Sequence, residues 1–83
     1  MIGYTKHAKE KFKILKSQGF IIKRKLVEDA IKFPERVYDS QEPLLIAEKS
    51  IDETHILKVV FKKEGGIIKI ITFYPTRKKK IKK

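Results

Sequence analysis

The segment THILKVVFKKEGGIIKIITFY, residues 54–74, constrains the fold more than any other part of the chain. Two runs rich in β-branched and aromatic residues flank Glu64, Gly65 and Gly66, which supply the backbone freedom of a tight hairpin. Alternation places Leu57, Val59 and Phe61 on one face of the first strand, with Ile56, Lys58, Val60 and Lys62 on the other. An all-helical fold is thereby excluded.

Upstream, MIGY reads as a short edge strand, and Thr5 stands where a helix N-cap belongs, its hydroxyl able to accept from a free amide of the first turn. Ala8, Phe12 and Leu15 recur at helical spacing as one apolar stripe, and Lys6, Lys9, Lys13 and Lys16 form a second stripe on another face. Gly19 suits the left-handed position that ends a helix, with Phe20 as its apolar clasp, so the helix stops near Gln18. In KRKLVEDAIKFPE, the residues Leu26, Val27, Ala30, Ile31 and Phe33 share one broad apolar face of a second helix, which Pro34 ends. RVYDS and PLLIAEKS are short extended candidates. The order is strand, helix, helix, then three or four strands. This is an α+β domain in which two helices pack on one face of an antiparallel sheet of three to four strands. The domain is expected to cover residues 1–76, with 77–83 a basic C-terminal tail.

At 83 residues the chain suits one small domain, and without cysteine it has neither a disulfide framework nor a thiolate nucleophile. No apolar run approaches the length needed to cross a bilayer, so the expectation is a soluble, cytoplasmic protein with no membrane partner. Charge is the strongest global signal: 21 Lys and Arg against 10 Asp and Glu give a net charge of +11. Residues 1–25 carry eight basic and one acidic residue, residues 26–54 three and eight, and residues 55–83 ten and one. Basic ends around an acidic middle favour a polyanion or an acidic protein as partner.

The chain's two histidines, His7 and His55, lie far apart with no carboxylate at ligand spacing, so neither a metal nor a cofactor is expected. His7 falls in the first turn of the first helix at the edge of its apolar stripe, where it serves either a site on the sheet or a backbone hydrogen bond. His55 opens a strand and reads as an exposed strand-end residue. Tyr74 and Arg77 flank Pro75, which limits the conformations between strand and tail. An arginine fork binds phosphate and stabilises charge on it, and a tyrosine hydroxyl positions or exchanges a proton. That pair suits metal-free RNA cleavage by the ribose 2′-hydroxyl; its structural alternative is a tyrosine capping the core beside a solvated arginine. Lys78, Lys79 and Lys80 either grip phosphates without sequence preference or form a solvated tail. Aromatics do not interleave with that run, so it offers no stacking platform.

YTKHAKEKF at the start, VEDAIKFPE in the second helix and the ending KVVFKKEGGIIKIITFYPT together resemble the small uncharacterised domains grouped with the RelE/ParE-type toxin superfamily. The similarity spans nearly the whole chain, and its most specific elements are Thr5, His7, Ala8, Pro34, Ile71, Thr72, Tyr74 and Pro75. The resemblance implies a sheet backed by two helices and a toxin-like protein, often partnered by an antitoxin. In RelE-like members it implies a ribosome-dependent mRNA endonuclease, and in ParE-like members action on gyrase. Carried over residue by residue, it implies catalytic roles for His7, Tyr74 and Arg77. Lys58, Lys69 and Lys49 correspond to basic groups of the sheet, and Lys6, Lys9, Lys13 and Lys78–Lys80 would hold RNA backbone. A non-catalytic nucleic-acid-binding or protein-interaction module is the alternative, since fold alone does not fix function.

Overall fold

The protein is described by a computed structural model covering residues 2–39 and 43–78. Its elements are β1 (Ile2–Tyr4), α1 (Lys6–Ser17), α2 (Arg24–Lys32), β2 (Arg36–Asp39), β3 (Leu45–Ser50), β4 (His55–Glu64) and β5 (Ile67–Arg77). They form an α+β fold with one sheet in the order β1-β5-β4-β3-β2. The sheet has five strands rather than three to four, and it is mixed rather than antiparallel. Both short extended candidates become strands and pair with each other, while β1 lies parallel to β5. Parallel pairing follows from the two helices that intervene, since they carry the chain back across the sheet before β5 begins.

Thr5 ties these layers together. Its hydroxyl oxygen accepts from the Ala8 amide at 3.1 Å, capping α1, and its proton goes to the Ile71 carbonyl at 3.0 Å. The Thr5 amide donates to the Ile70 carbonyl at 3.0 Å. Ile71 is the unpaired residue of a bulge opposite Val60 and Phe61, so the threonine satisfies a carbonyl that the ladder leaves free. At its other end α1 closes as the sequence predicts: Gly19 has φ 93°, its amide donates to the Lys16 carbonyl, and the Phe20 amide donates to the Leu15 carbonyl.

Ala8 and Leu15 of α1, Val27 and Ala30 of α2, and Leu57, Val59, Phe61, Ile70 and Phe73 of the hairpin meet in one core. Phe12 tilts against Phe73 with ring centroids 4.6 Å apart. Phe33 departs from the expected apolar face. It is 67% exposed, because α2 ends at Lys32 and the following Pro34 drives Phe33 out of helical geometry to φ −133°, ψ 60°. The hairpin turns on Gly65 and Gly66 alone, with φ 51° and 82°, the signs that a two-residue type I′ connection requires. β5 runs on through Arg77, and the Lys78 amide donates to the Thr54 carbonyl at 2.9 Å, so the strand continues past the expected domain end at residue 76. Residues 79–83 of the expected tail lie outside the described residues.

Candidate nucleic-acid interface

Both helices pack on the face of the sheet that carries Leu57, Val59 and Phe73, and among the described residues no element covers the other, open face. Pleating puts every second residue of each strand on that open face, and the register aligns four polar side chains across four strands. Arg36 of β2 stands opposite Glu48 of β3, Glu48 opposite Lys58 of β4, and Lys58 opposite Tyr74 of β5. Tyr38, two residues along β2, donates its phenol proton to Glu48 at 2.9 Å, and Lys58 Nζ lies 3.5 Å from the same carboxylate oxygen. Glu48 is only 9% exposed, the one buried ionisable side chain among the described residues. A carboxylate so placed needs partners, and the tyrosine and lysine provide them. The Tyr38 hydroxyl, ahead of the charges of Glu48 and Tyr74, raises the Lys58 ammonium above its ordinary value, against a partial burial that lowers it. Lys58 is therefore a cation at neutral pH.

An open groove of about 610 Å³ runs along this network, with Arg36, Tyr38, Glu48 and Lys58 in its wall and Arg77 and Lys78 at its end. Glu35, also in its wall, is held by the amide and hydroxyl of Ser50 at 3.0 and 2.9 Å, and these two donors, the amide first, lower its carboxyl below the usual range. Four cations, two carboxylates and a phenol thus line one concavity. Such a surface accepts a phosphodiester on its cations while presenting a proton acceptor beside it.

The sequence-predicted residues divide between the two sides of the sheet. Lys58 lies in the groove wall and Tyr74, 37% exposed, stands beside it on the same face. Arg77 borders the groove at the strand end, where the register sets it opposite His55. Lys69 is also on the open face but pairs with Lys62, four residues along β4 from Lys58, a distance of about 13 Å. Lys49 is drawn to the Phe33 carbonyl at 3.0 Å. His7, Lys6, Lys9 and Lys13 are exposed on α1, in the helix layer on the opposite side of the sheet from Tyr74. His7 does not face the sheet, and the trio of His7, Tyr74 and Arg77 does not converge. Lys79 and Lys80 lie outside the described residues.

Sequence reasoning missed Arg36, Tyr38 and Glu48. A signal existed for each, though a weaker one for the acid: Arg36 and Tyr38 alternate in RVYD, and Glu48 ends the apolar run LLIA on a strand, two residues from Ile46 on the same face. His55, by contrast, opens β4 and is bonded to the turn that precedes it. Its ring meets the Thr54 hydroxyl at 2.8 Å, the Asp52 carboxylate at 3.3 Å and the edge of Phe20. Asp52 is held down to about 2 chiefly by the Thr54 amide, with help from the Thr54 hydroxyl and His55. Among the described residues no three His, Asp or Glu side chains gather as a metal-binding group, and no helix is long and apolar enough to cross a membrane. Compared with family models, with curated proteins and with solved structures, the chain gives no match.

Proposed function

We propose that this is a toxin-like RNA-binding protein whose open sheet face cleaves RNA without a metal ion. The observation that carries the reading is the cross-strand row Arg36, Glu48, Lys58 and Tyr74, in which a buried carboxylate stands between two cations. RNA supplies its own nucleophile. Glu48 takes the proton of a ribose 2′-hydroxyl as that oxygen attacks the adjacent phosphorus, and the phenol of Tyr74 returns a proton to the departing 5′-oxygen. The products are a 2′,3′-cyclic phosphate and a 5′-hydroxyl end. Lys58 and Arg36 hold the phosphate and offset the charge that accumulates on it, with Arg77 and Lys78 receiving the chain at the groove end. The resemblance to RelE-like toxins supports an mRNA substrate presented by the ribosome and an acidic antitoxin as partner.

A non-catalytic RNA-binding module is the second reading, and one observation favours it: Tyr38 and Lys58 already satisfy Glu48, as in a purely structural polar network. Transcript cleavage with and without ribosomes separates the two. The nuclease reading expects cyclic-phosphate ends that disappear in Glu48→Gln and fall at least tenfold in Arg77→Ala. Salt-sensitive RNA binding with no cleavage under either condition would establish the binding module instead.

A further inference from the structure

α1 carries a surface that the groove chemistry does not use. Lys6, Lys9, Lys13 and Lys16 are all exposed, and none enters an ion pair among the described residues. At 3.6 residues per turn they fall within a sector of about 80° and span about 15 Å along the axis. The arrangement is electrostatically unfavourable for the free protein. Like charges three and four residues apart repel, the first turn holds no acidic residue, and Lys6 and Lys9 stand near the end of the helix dipole that disfavours cations. Glu10, the one acidic residue of the helix, stands four residues after Lys6 and three before Lys13 and offsets part of this repulsion, whereas Lys9 and Lys16 have no acidic neighbour at helical contact spacing. A ligand that brings negative charge relieves the remainder.

The kind of polyanion follows from what accompanies the lysines. Of the two ring-bearing residues of α1, Phe12 is turned inward against Tyr4 and Phe73, and the exposed His7 lies about 100° around the helix from Lys6, outside the lysine sector. The stripe therefore has no ring on which an unpaired base could stack, as single-strand binding sites require. A rigid row of cations without stacking groups suits the regularly spaced phosphates of a double helix, which is recognised by shape and backbone rather than by sequence. α1 packs on β1 and β5, on the opposite side of the sheet from the groove, so a strand in the groove does not lie along the stripe.

We propose that the exposed lysine stripe of α1 is a second RNA-binding surface, one that grips the phosphate backbone of a duplex while the groove holds a separate, single-stranded segment. The duplex contact stands on the stripe alone; its pairing with a strand in the groove rests on the groove reading. The test measures binding of the full chain to a 20-bp RNA duplex and to a 20-nucleotide single strand across a salt series. Replacing Lys6, Lys9, Lys13 and Lys16 with Gln should weaken duplex binding at least tenfold and reduce the salt slope by about three. The half-replacements Lys6→Gln with Lys9→Gln, and Lys13→Gln with Lys16→Gln, should each remove about half of that slope. Circular dichroism should show the helix retained, with a melting temperature close to that of the parent, since the repulsion removed and the contacts of Glu10 with Lys6 and Lys13 lost oppose each other.

Lys58→Ala should leave duplex affinity and slope within twofold, and loss of duplex binding in that variant would transfer the duplex to the groove and overturn the proposal. An unchanged slope in the half-replacements would overturn it as well. So would displacement of the duplex by poly-glutamate at equal charge concentration, which would mark the stripe as a surface for acidic protein. Failure of RNA cleavage with duplex binding intact would count against the groove chemistry and leave the stripe standing.

Discussion

Thr5 is a single side chain with two structural duties. Its hydroxyl caps α1 and secures the bulge carbonyl of Ile71, so Thr5→Ala removes an N-cap and strands a backbone acceptor together. The expected cost is about 2 kcal/mol, read as a shift in urea midpoint with unchanged slope, and Thr5→Ser should recover most of it. Tyr4 presents a pH-dependent case. Burial first, then its hydrogen bond to Glu28 at 3.1 Å, pushes the phenol from 10.0 up to about 12. A folded value above the unfolded one favours the protonated form in the native state. Its contribution is therefore complete below pH 10 and is lost as pH rises toward 12. Thermal melts should show Tyr4→Phe gaining on the parent between pH 10 and 12; a constant difference across that window would contradict the assignment.

At the scale of elements, legibility tracked how local the governing physics was. The β4–β5 hairpin was readable because β-branched runs and a two-residue glycine turn act within about twenty residues. Gly66 has φ 82°, so Gly66→Ala strains the turn even though nothing crowds its side chain, and a loss of about 1 kcal/mol or more is expected in chemical denaturation. Both ends of α1 were readable for the same reason, from Thr5 and Gly19. MIGY and RVYDS were also readable as strands, and they form the two edges of the sheet, but their partners were not. With which strand MIGY pairs depends on where the intervening chain returns, and no residue in those first four records it. Phe33 fitted the periodicity of α2, but periodicity carries no information on the backbone turn that Pro34 enforces. The candidate site was half visible. Lys58 and Tyr74 could be named from their strands, whereas their pairing with Glu48 and Arg36 is a matter of register between β2, β3 and β4, which is set by long-range packing.

Across the whole molecule, charge is sorted by face as well as along the chain. The acidic middle of the sequence supplies Glu35 and Glu48 to a groove whose cations come from β2, β4 and the end of β5, while α1 presents its lysines on the other side of the sheet. A net charge of +11 therefore does not make one uniform positive surface. It yields a mixed-charge groove and a predominantly cationic helix face, and on the proposed reading the two should respond differently to salt: the helix face loses affinity steeply, whereas a step of proton transfer at Glu48 is altered little once RNA is bound. On the proposed nuclease reading, the Glu48–Lys58 pair turns the groove from a binding surface into a catalytic one. The most direct test is the single-turnover rate of RNA cleavage, on free and ribosome-bound transcripts, for the parent and for Glu48→Gln at saturating protein. A fall of at least a hundredfold with RNA affinity held within threefold is predicted; equal rates in the two proteins, or cleavage by neither, would contradict it.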